Sequence, residues 1–312
     1  MRTIKLIAAG LSMVLLPLIV FYSLGGIQER MPERAPVVLD PQEICTERWT
    51  CHDPSALAAL WEATARGERP LRIASYNVHK CTGMDFRRDP GRVAEVIRSL
   101  DADIISLQEV LSDPGETASA QMRTLAKKTG MYMAVAGHTK HKKDGRYGNA
   151  LLSRFPISSV RLHDISLGSF EPRGIIDADI VVGGLTIRVL VTHLGLWPVE
   201  RNRQVDRLLE ILPERPGSPL IVMGDTNDWL PGSPALQRLR ARLGEPVTMR
   251  TFPALFPVLP LDRIWIPPSE SLRETLAHQA SLPSRLARIA SDHLPVVATV
   301  YLKAIAQGTA SR

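Results

Sequence analysis

The 312-residue chain predicts an α/β layered sandwich, two packed sheets flanked by helices and folded as one domain. Short apolar runs of β type recur from Leu71 onward: "LRIASYN", "ADIISLQE", "GNALLS", "IIDADIVV", "LTIRVLVTH", "PLIVMGD", "DRIWI" and "LPVVATVYL". Two segments between them carry a helical period, and an apolar share of 45% can fill a sizeable core.

The N-terminus is read apart from this domain. Arg2 and Lys5 precede an uncharged stretch from Leu6 to Gly26, close to the ~20 residues that cross a bilayer as a helix. No A-x-A cleavage site follows it, so residues 1–26 read as an uncleaved signal anchor, or else a signal peptide. The basic end would stay inside and the rest would be exported, facing the periplasm from a bacterial inner membrane or the extracellular space. Cleavage would make the protein secreted. Residues 27–70, rich in Pro, Glu and Arg with one helical patch, "PSALAALWEATARG", read as a linker or stalk. The domain proper is expected over 71–303, with a tail at 304–312.

Within the domain, "PGRVAEVIRSL" places Val93, Val96, Ile97 and Leu100 on one face. "PVERNRQVDRLLEIL" does the same with Val205, Leu208, Leu209 and Leu212, and Pro198 opens it where a missing N–H is harmless. Both stripes face a core and carry no chemistry. In an exported chain Cys45 and Cys51 can oxidise across "CTERWTC", leaving Cys81 alone; three free thiols are the plainer alternative, and no spacing fits a structural zinc site. A balance of 38 Lys plus Arg against 32 Asp plus Glu, net +6, suits phosphate-bearing or anionic-surface partners without requiring them.

Polar residues collect at strand ends. Asn77 ends "LRIASYN", Glu109 ends "ADIISLQE", His193 ends "RVLVTH" and Asp225 ends "LIVMGD". One such residue is ordinarily a turn former that satisfies its own backbone. Four in succession point to a site. Asp262 precedes "RIWI", and Asp292 with His293 precedes "LPVVATV"; if those strands run antiparallel to the others, all of these groups meet at one rim. Clustered carboxylates repel unless a cation or proton holds them, and all-oxygen sites suit magnesium, manganese or calcium. Such a rim supports attack of water on phosphorus, with charge on the phosphoryl oxygens neutralised by metal and imidazolium.

In order, "SYNVHKC", "ISLQEV", "YGNALLSR", "VTHLGL", "GDTND", "LDRIW" and "SDHLP" resemble the endonuclease/exonuclease/phosphatase superfamily with its DNase I-like fold, from about Leu71 to Leu302. The resemblance implies a four-layered α/β/β/α sandwich of two mixed sheets. It also implies a divalent metal, usually Mg2+ with Mn2+ or Ca2+ as alternatives, and hydrolysis of a phosphodiester or phosphomonoester. It assigns Glu109 as the main metal ligand, with Asn77 placing metal or phosphate and Asp292 as a second metal or water contact. Asp225 would orient and deprotonate water. Asn227, two residues on and facing the same way by strand alternation, would hydrogen-bond phosphate or that water. His293 would stabilise the transition state with Asp262 holding its imidazole, and His193 would contact phosphate or the leaving oxygen. Some members carry an acid where this chain has His79; here His79 reads as a phosphate-facing or a capping residue. Arg173 in "EPRGIIDADI" would reach a phosphate or form a surface ion pair.

The substrate is less legible. Aromatic residues make up 5% of the chain, few platforms for stacked bases, although Trp197 and Trp229 flank the His193 and Asp225 loops. "HTKHKKDGRYGN" reads as a basic loop suited to a polyanion or simply solvated, and the apolar, Pro-rich "TFPALFPVLPLDRIW" is suited to lipid. The expectation is a membrane-anchored phosphoesterase acting on a lipid or lipid-linked phosphate. An exported nuclease acting on DNA or RNA is the first alternative. A catalytically silent phosphate- or membrane-binding module is the second. No protein partner is inferable.

Overall fold

Near-continuous apolar runs such as "LRIASYN" and "LTIRVLVTH" become strands buried on both faces, because each sheet is covered on two sides. A computed structural model describes residues 37–38, 54–112, 120–142, 145–214, 219–269, 272–278 and 285–303. The expected anchor over 1–26, Cys45, Cys51 and the tail at 304–312 lie outside the described residues. Among the described residues no helix is long and apolar enough to cross a membrane.

In chain order the elements are β1 (Val37–Val38), α1 (Pro54–Ala65), β2 (Leu71–Asn77), α2 (Pro90–Leu100), β3 (Ile104–Ser112), α3 (Ala120–Thr129), β4 (Tyr132–Lys142), β5 (Gly145–Ser153), β6 (Ile157–Asp164), β7 (Gly174–Val182) and β8 (Leu185–His193). There follow α4 (Pro198–Ile211), β9 (Leu220–Asp225), α5 (Pro234–Leu243), β10 (Val247–Thr248), β11 (Asp262–Trp265), β12 (Leu272–His278), α6 (Arg285–Ala290) and β13 (Val296–Leu302). They build a 6-stranded sheet in the order β12-β13-β2-β3-β5-β4 and a 7-stranded sheet in the order β1-β6-β7-β8-β9-β11-β10. Both sheets are mixed, since β2 runs parallel to β3 and β8 parallel to β9 while the other pairs are antiparallel.

Strand alternation sorts the core into two layers. Leu71, Ile73, Ile104 and Val296 face Ile176, Val189, Ile221 and Ile264 between the sheets. Ala74, Tyr76, Ile105 and Leu107 point the other way, against Val93 and Ile97 of α2 and Met122 and Leu125 of α3. On the outer face of the second sheet, the Arg188 guanidinium donates to the Ile211 and Leu212 carbonyls at the end of α4. Buried Asp177 accepts from Arg188, Arg161 and His163; burial alone would raise its carboxyl, but these bonds hold it far below the usual range.

Two expectations are corrected here. The second half of the expected stalk belongs to the domain: Trp61 of α1 packs against the core and donates to the Arg154 carbonyl, and Arg69 pairs with buried Asp103 at 2.9 Å. An amphipathic helix with one large aromatic gains more by covering a sheet than by standing in solvent. The expected basic loop is a β-hairpin, because β4 and β5 pair out to Lys142 and Gly145.

Candidate active site

The strands of both sheets deliver their polar ends to one edge. β8 and β9 finish side by side with His193 opposite Asp225, and antiparallel β11 begins there with Asp262 opposite Asp225. Gly224 is dictated by this packing: a Cβ would stand 1.8 Å from the Thr192 carbonyl oxygen, and its φ of 150° favours glycine. From the other sheet, Asn77 closes β2 and donates through Nδ2 to Asp225 Oδ2 at 3.0 Å. Its Oδ1 accepts from the His79 backbone N–H at 3.1 Å, and its carbonyl accepts from Ser291 Oγ at 2.7 Å.

Asn227 reaches the site by a different route from the one strand alternation predicts. The strand ends at Asp225, and Asn227 lies beyond it in a left-handed turn, φ 50°, whose backbone N–H donates to Asp225 Oδ1 at 2.8 Å. Asn tolerates this conformation and Asp readily accepts across such a turn, which accounts for both residue types. The Asn227 amide donates to the Leu194 carbonyl at 2.8 Å and to His193 Nε2 at 2.9 Å. His193 Nε2 is therefore an acceptor, and the ring is neutral with its proton on Nδ1. Burial, followed by the Arg173 charge, pushes His193 down to about 3, in agreement with that tautomer.

His293 is the opposite case. Its Nδ1 meets Asp262 Oδ2 at 2.8 Å and its Nε2 lies 3.7 Å from Asp225 Oδ2. Burial alone would lower it, but the Asp262 and Asp225 charges outweigh burial and raise it to about 10. Burial pushes Asp225 up, but the His293 charge and the hydrogen bonds from the Asn227 backbone N–H and the Asn77 amide outweigh it and hold the carboxyl below its ordinary value. Asp262 is raised, by burial first, and accepts from Thr251 Oγ1 at 2.6 Å. The site thus holds a cationic and a neutral imidazole on two sides of one carboxylate.

A second group of acids lies at the same rim. Glu109 occupies a bulge of β3, between Leu107 and Val110, with a left-handed φ of 57° that re-aims its carboxylate; such strain in a residue other than Gly or Asn recurs at functional sites. Lys80 Nζ is 3.7 Å from Glu109 Oε2, and His79 Nδ1 is 3.7 Å from Asp292 Oδ1. His79 Nδ1 also lies 3.1 Å from the Thr82 carbonyl, which fixes its proton there. Burial pushes Asp292 up; His293 and His79 oppose this, and the Glu109 charge adds to it. Two hard oxygen donors that raise each other's energy suit a divalent cation.

Asp225, Asp262 and His293 also offer atoms within 4.8 Å of one another. A cation among those three would displace the His293–Asp262 hydrogen bond, so Glu109 and Asp292 are the better pair of ligands. Arg173 is buried beside the site, pairs with Glu171 at 3.5 Å, and has no hydrogen-bond partner for Nε among the described residues.

Several supporting residues escape a reading of the sequence. Arg201 donates to Asp228 at 3.1 Å and to the Leu196 carbonyl at 2.6 Å, tying the loop after His193 to the loop after Asp225. Ser233 also donates to Asp228. Gly195 admits the Glu200 carboxyl where a Cβ would collide with it. Asp228 stands directly behind "GDTN" in the sequence, and Lys80 directly behind His79; Thr251 and Arg201 carry no local signal.

A two-sheet sandwich with this edge of acids, amides and imidazoles defines a class of phosphoric-ester hydrolases. The match to the endonuclease/exonuclease/phosphatase family covers residues 74–293, so the chain belongs to that family and is a metal-dependent hydrolase acting on phosphoric ester bonds. The uncharacterized protein YbhP of Escherichia coli strain K12 is 32% identical over 251 residues, 74% of this chain and 96% of that one. A crystal structure of an endonuclease/exonuclease/phosphatase from Beutenbergia cavernae has a TM-score of 0.59 at 22% identity, covering 75% of this chain and 72% of that chain. The human Nocturnin catalytic domain with bound sulfate has a TM-score of 0.57 at 19% identity, covering 76% and 94%. These structures share the fold.

Proposed function

We propose that the protein hydrolyses a phosphate ester carried by a membrane lipid or lipid-linked molecule, using Mg2+ held by Glu109 and Asp292. The observation that carries the reaction chemistry is the setting of Asp225, with the His293 imidazolium 3.7 Å away, neutral His193 at 3.6 Å and the Asn77 amide at 3.0 Å. A carboxylate held below its ordinary range stays ionised at working pH, orients the attacking water and takes its proton as the new O–P bond forms and the ester O–P bond breaks; the departing ester oxygen takes a proton from solvent water, and Asp225 returns its own to solvent. Held by Glu109 and Asp292, a divalent cation would supply charge neutralisation at the phosphoryl oxygens. His293, kept protonated by Asp262, adds a second positive charge aimed at the same oxygens, and Arg173 adds a planar fork of donors. Asn227 is held in place by Leu194 and His193 and fixes Asp225 through its backbone N–H. His79, with Nδ1 3.7 Å from Asp292 Oδ1, would face the phosphate on that side.

The apolar segment before Asp262, which leaves Phe256 exposed, supports a lipid substrate, as does the anchor expected over 1–26 with the domain exported. Net charge +6 favours a second reading, hydrolysis of DNA or RNA. Turnover of phospholipids, inositol phosphates, DNA and RNA by the purified protein with Mg2+, Mn2+ or Ca2+ separates them. Nucleic-acid cleavage far above lipid turnover ends the lipid reading.

A further inference from the structure

Among the described residues, every exposed large apolar side chain stands on a segment next to a site residue. Phe86, 91% exposed, follows the turn at His79; Leu196, 67%, follows His193; Leu230, 46%, follows Asn227; and Phe256, 73%, precedes Asp262. Scattered exposed apolar residues need no explanation, but their confinement to one edge marks an interaction surface. The segments are held in place by backbone contacts. Met84 N donates to the Ile289 carbonyl at 2.9 Å, Ala254 N to Asp292 at 2.7 Å and Ser233 N to Leu230 at 3.0 Å. The surface is therefore presented on a fixed frame, without the ordering penalty of a loose loop.

Charge and topology narrow the partner. Arg87, Arg88, Arg250 and Arg285 are exposed on or beside these segments, while Asp85 is paired with Arg92 at 2.7 Å. Apolar side chains interleaved with arginines match the boundary between acyl chains and anionic headgroups. The register adds a direction. β1 pairs antiparallel with β6, Val37 opposite Leu162, and the far end of β6 pairs through Gly174 toward Thr192 and His193. The N-terminal end of β1, at Val37, therefore points toward the edge that carries the site.

We propose that this edge docks on a bilayer of anionic phospholipid, so that the active site opens onto the membrane surface. The inference deepens the lipid reading given above, and its test is independent of turnover. Full-length protein is reconstituted in phosphatidylcholine vesicles with and without phosphatidylglycerol, some carrying lipids brominated high on the acyl chain. Tryptophan is introduced at the docking edge, F256W or L230W, and at the opposite end of the domain, E210W. The proposal expects bromolipid to quench roughly half of the emission added by F256W and L230W, more strongly with phosphatidylglycerol, and none of that added by E210W. Equal quenching at all three positions, or at none, overturns it. So does an emission change at residue 256 on adding RNA with no change on adding vesicles, which would make the edge a nucleic-acid surface. Quenching without hydrolysis of any soluble diester would retain the docking surface and reject the proposed chemistry.

Discussion

Asn77 and Asp225 belong to different sheets, yet a 3.0 Å hydrogen bond joins their side chains across the sandwich. The site is built where the sheets meet, and its central carboxylate is held from both. Replacing Asn77 with Ala removes one of the bonds that depress Asp225. With a net worth of about 1 kcal/mol for such a bond, Asn77→Ala should lose about that much stability in urea and about fivefold in kcat, with KM little changed. A loss confined to KM would mean that Asn77 only binds substrate.

His293 and Asp262 set the alkaline limit. Since His293 is raised to about 10 and must stay protonated, activity should persist to high pH and fall as pH approaches 10. Asp262→Asn removes the largest charge that raises it, so the alkaline limb of the pH profile of kcat should move to lower pH. An unmoved limb would assign that ionisation elsewhere.

The two histidines pull stability in opposite directions. His293, raised from 6.5 to about 10, contributes stability that is complete below pH 6.5 and lost as pH rises through 10. His193, lowered from 6.5 to about 3, binds fewer protons folded than unfolded between those values, so its effect weakens the fold as pH falls from 6.5 toward 3. His193→Asn should flatten the acid side of a plot of urea stability against pH and leave the alkaline side unchanged.

The glycine before Asp225 is a packing requirement. Gly224→Ala would place a methyl against the Thr192 carbonyl, forcing β8 and β9 apart at His193 and Asp225. A loss of about 1–3 kcal/mol in thermal or urea unfolding is expected, with kcat falling as well.

Removal of metal should act through Glu109 and Asp292. Chelation should abolish turnover, and Glu109→Gln should raise the Mg2+ concentration needed for half-maximal rate by ten- to a hundredfold or more. Unchanged Mg2+ dependence in Glu109→Gln would place the cation elsewhere.

The sequence discloses this structure unevenly, for physical reasons. α2 is legible to the residue because Pro90 opens it and a sharp apolar stripe runs through Val93, Val96 and Ile97. β2 and β8 are equally plain, being apolar on both faces and ended by polar residues. β6 is missed because Ser158, Arg161 and His163 break its pattern, the last two being drawn to buried Asp177. α1 reads as stalk because only tertiary contact distinguishes a packed helix from a free one. At the site, the strand ends Asn77, His193 and Asp225 are visible, but Glu109 stands at a bulge inside β3 and not at its end, and the clamp between Arg201 and Asp228 spans 27 residues of chain and leaves no local pattern.

The most direct test is hydrolysis of bis(p-nitrophenyl) phosphate by wild type, Asp225→Ala and His293→Ala, each with and without Mg2+. Metal-dependent turnover by wild type and a loss of at least roughly a hundredfold in either variant are predicted. Equal residual activity in all three proteins would contradict the account and leave a fold that binds phosphate or membrane without cleaving either.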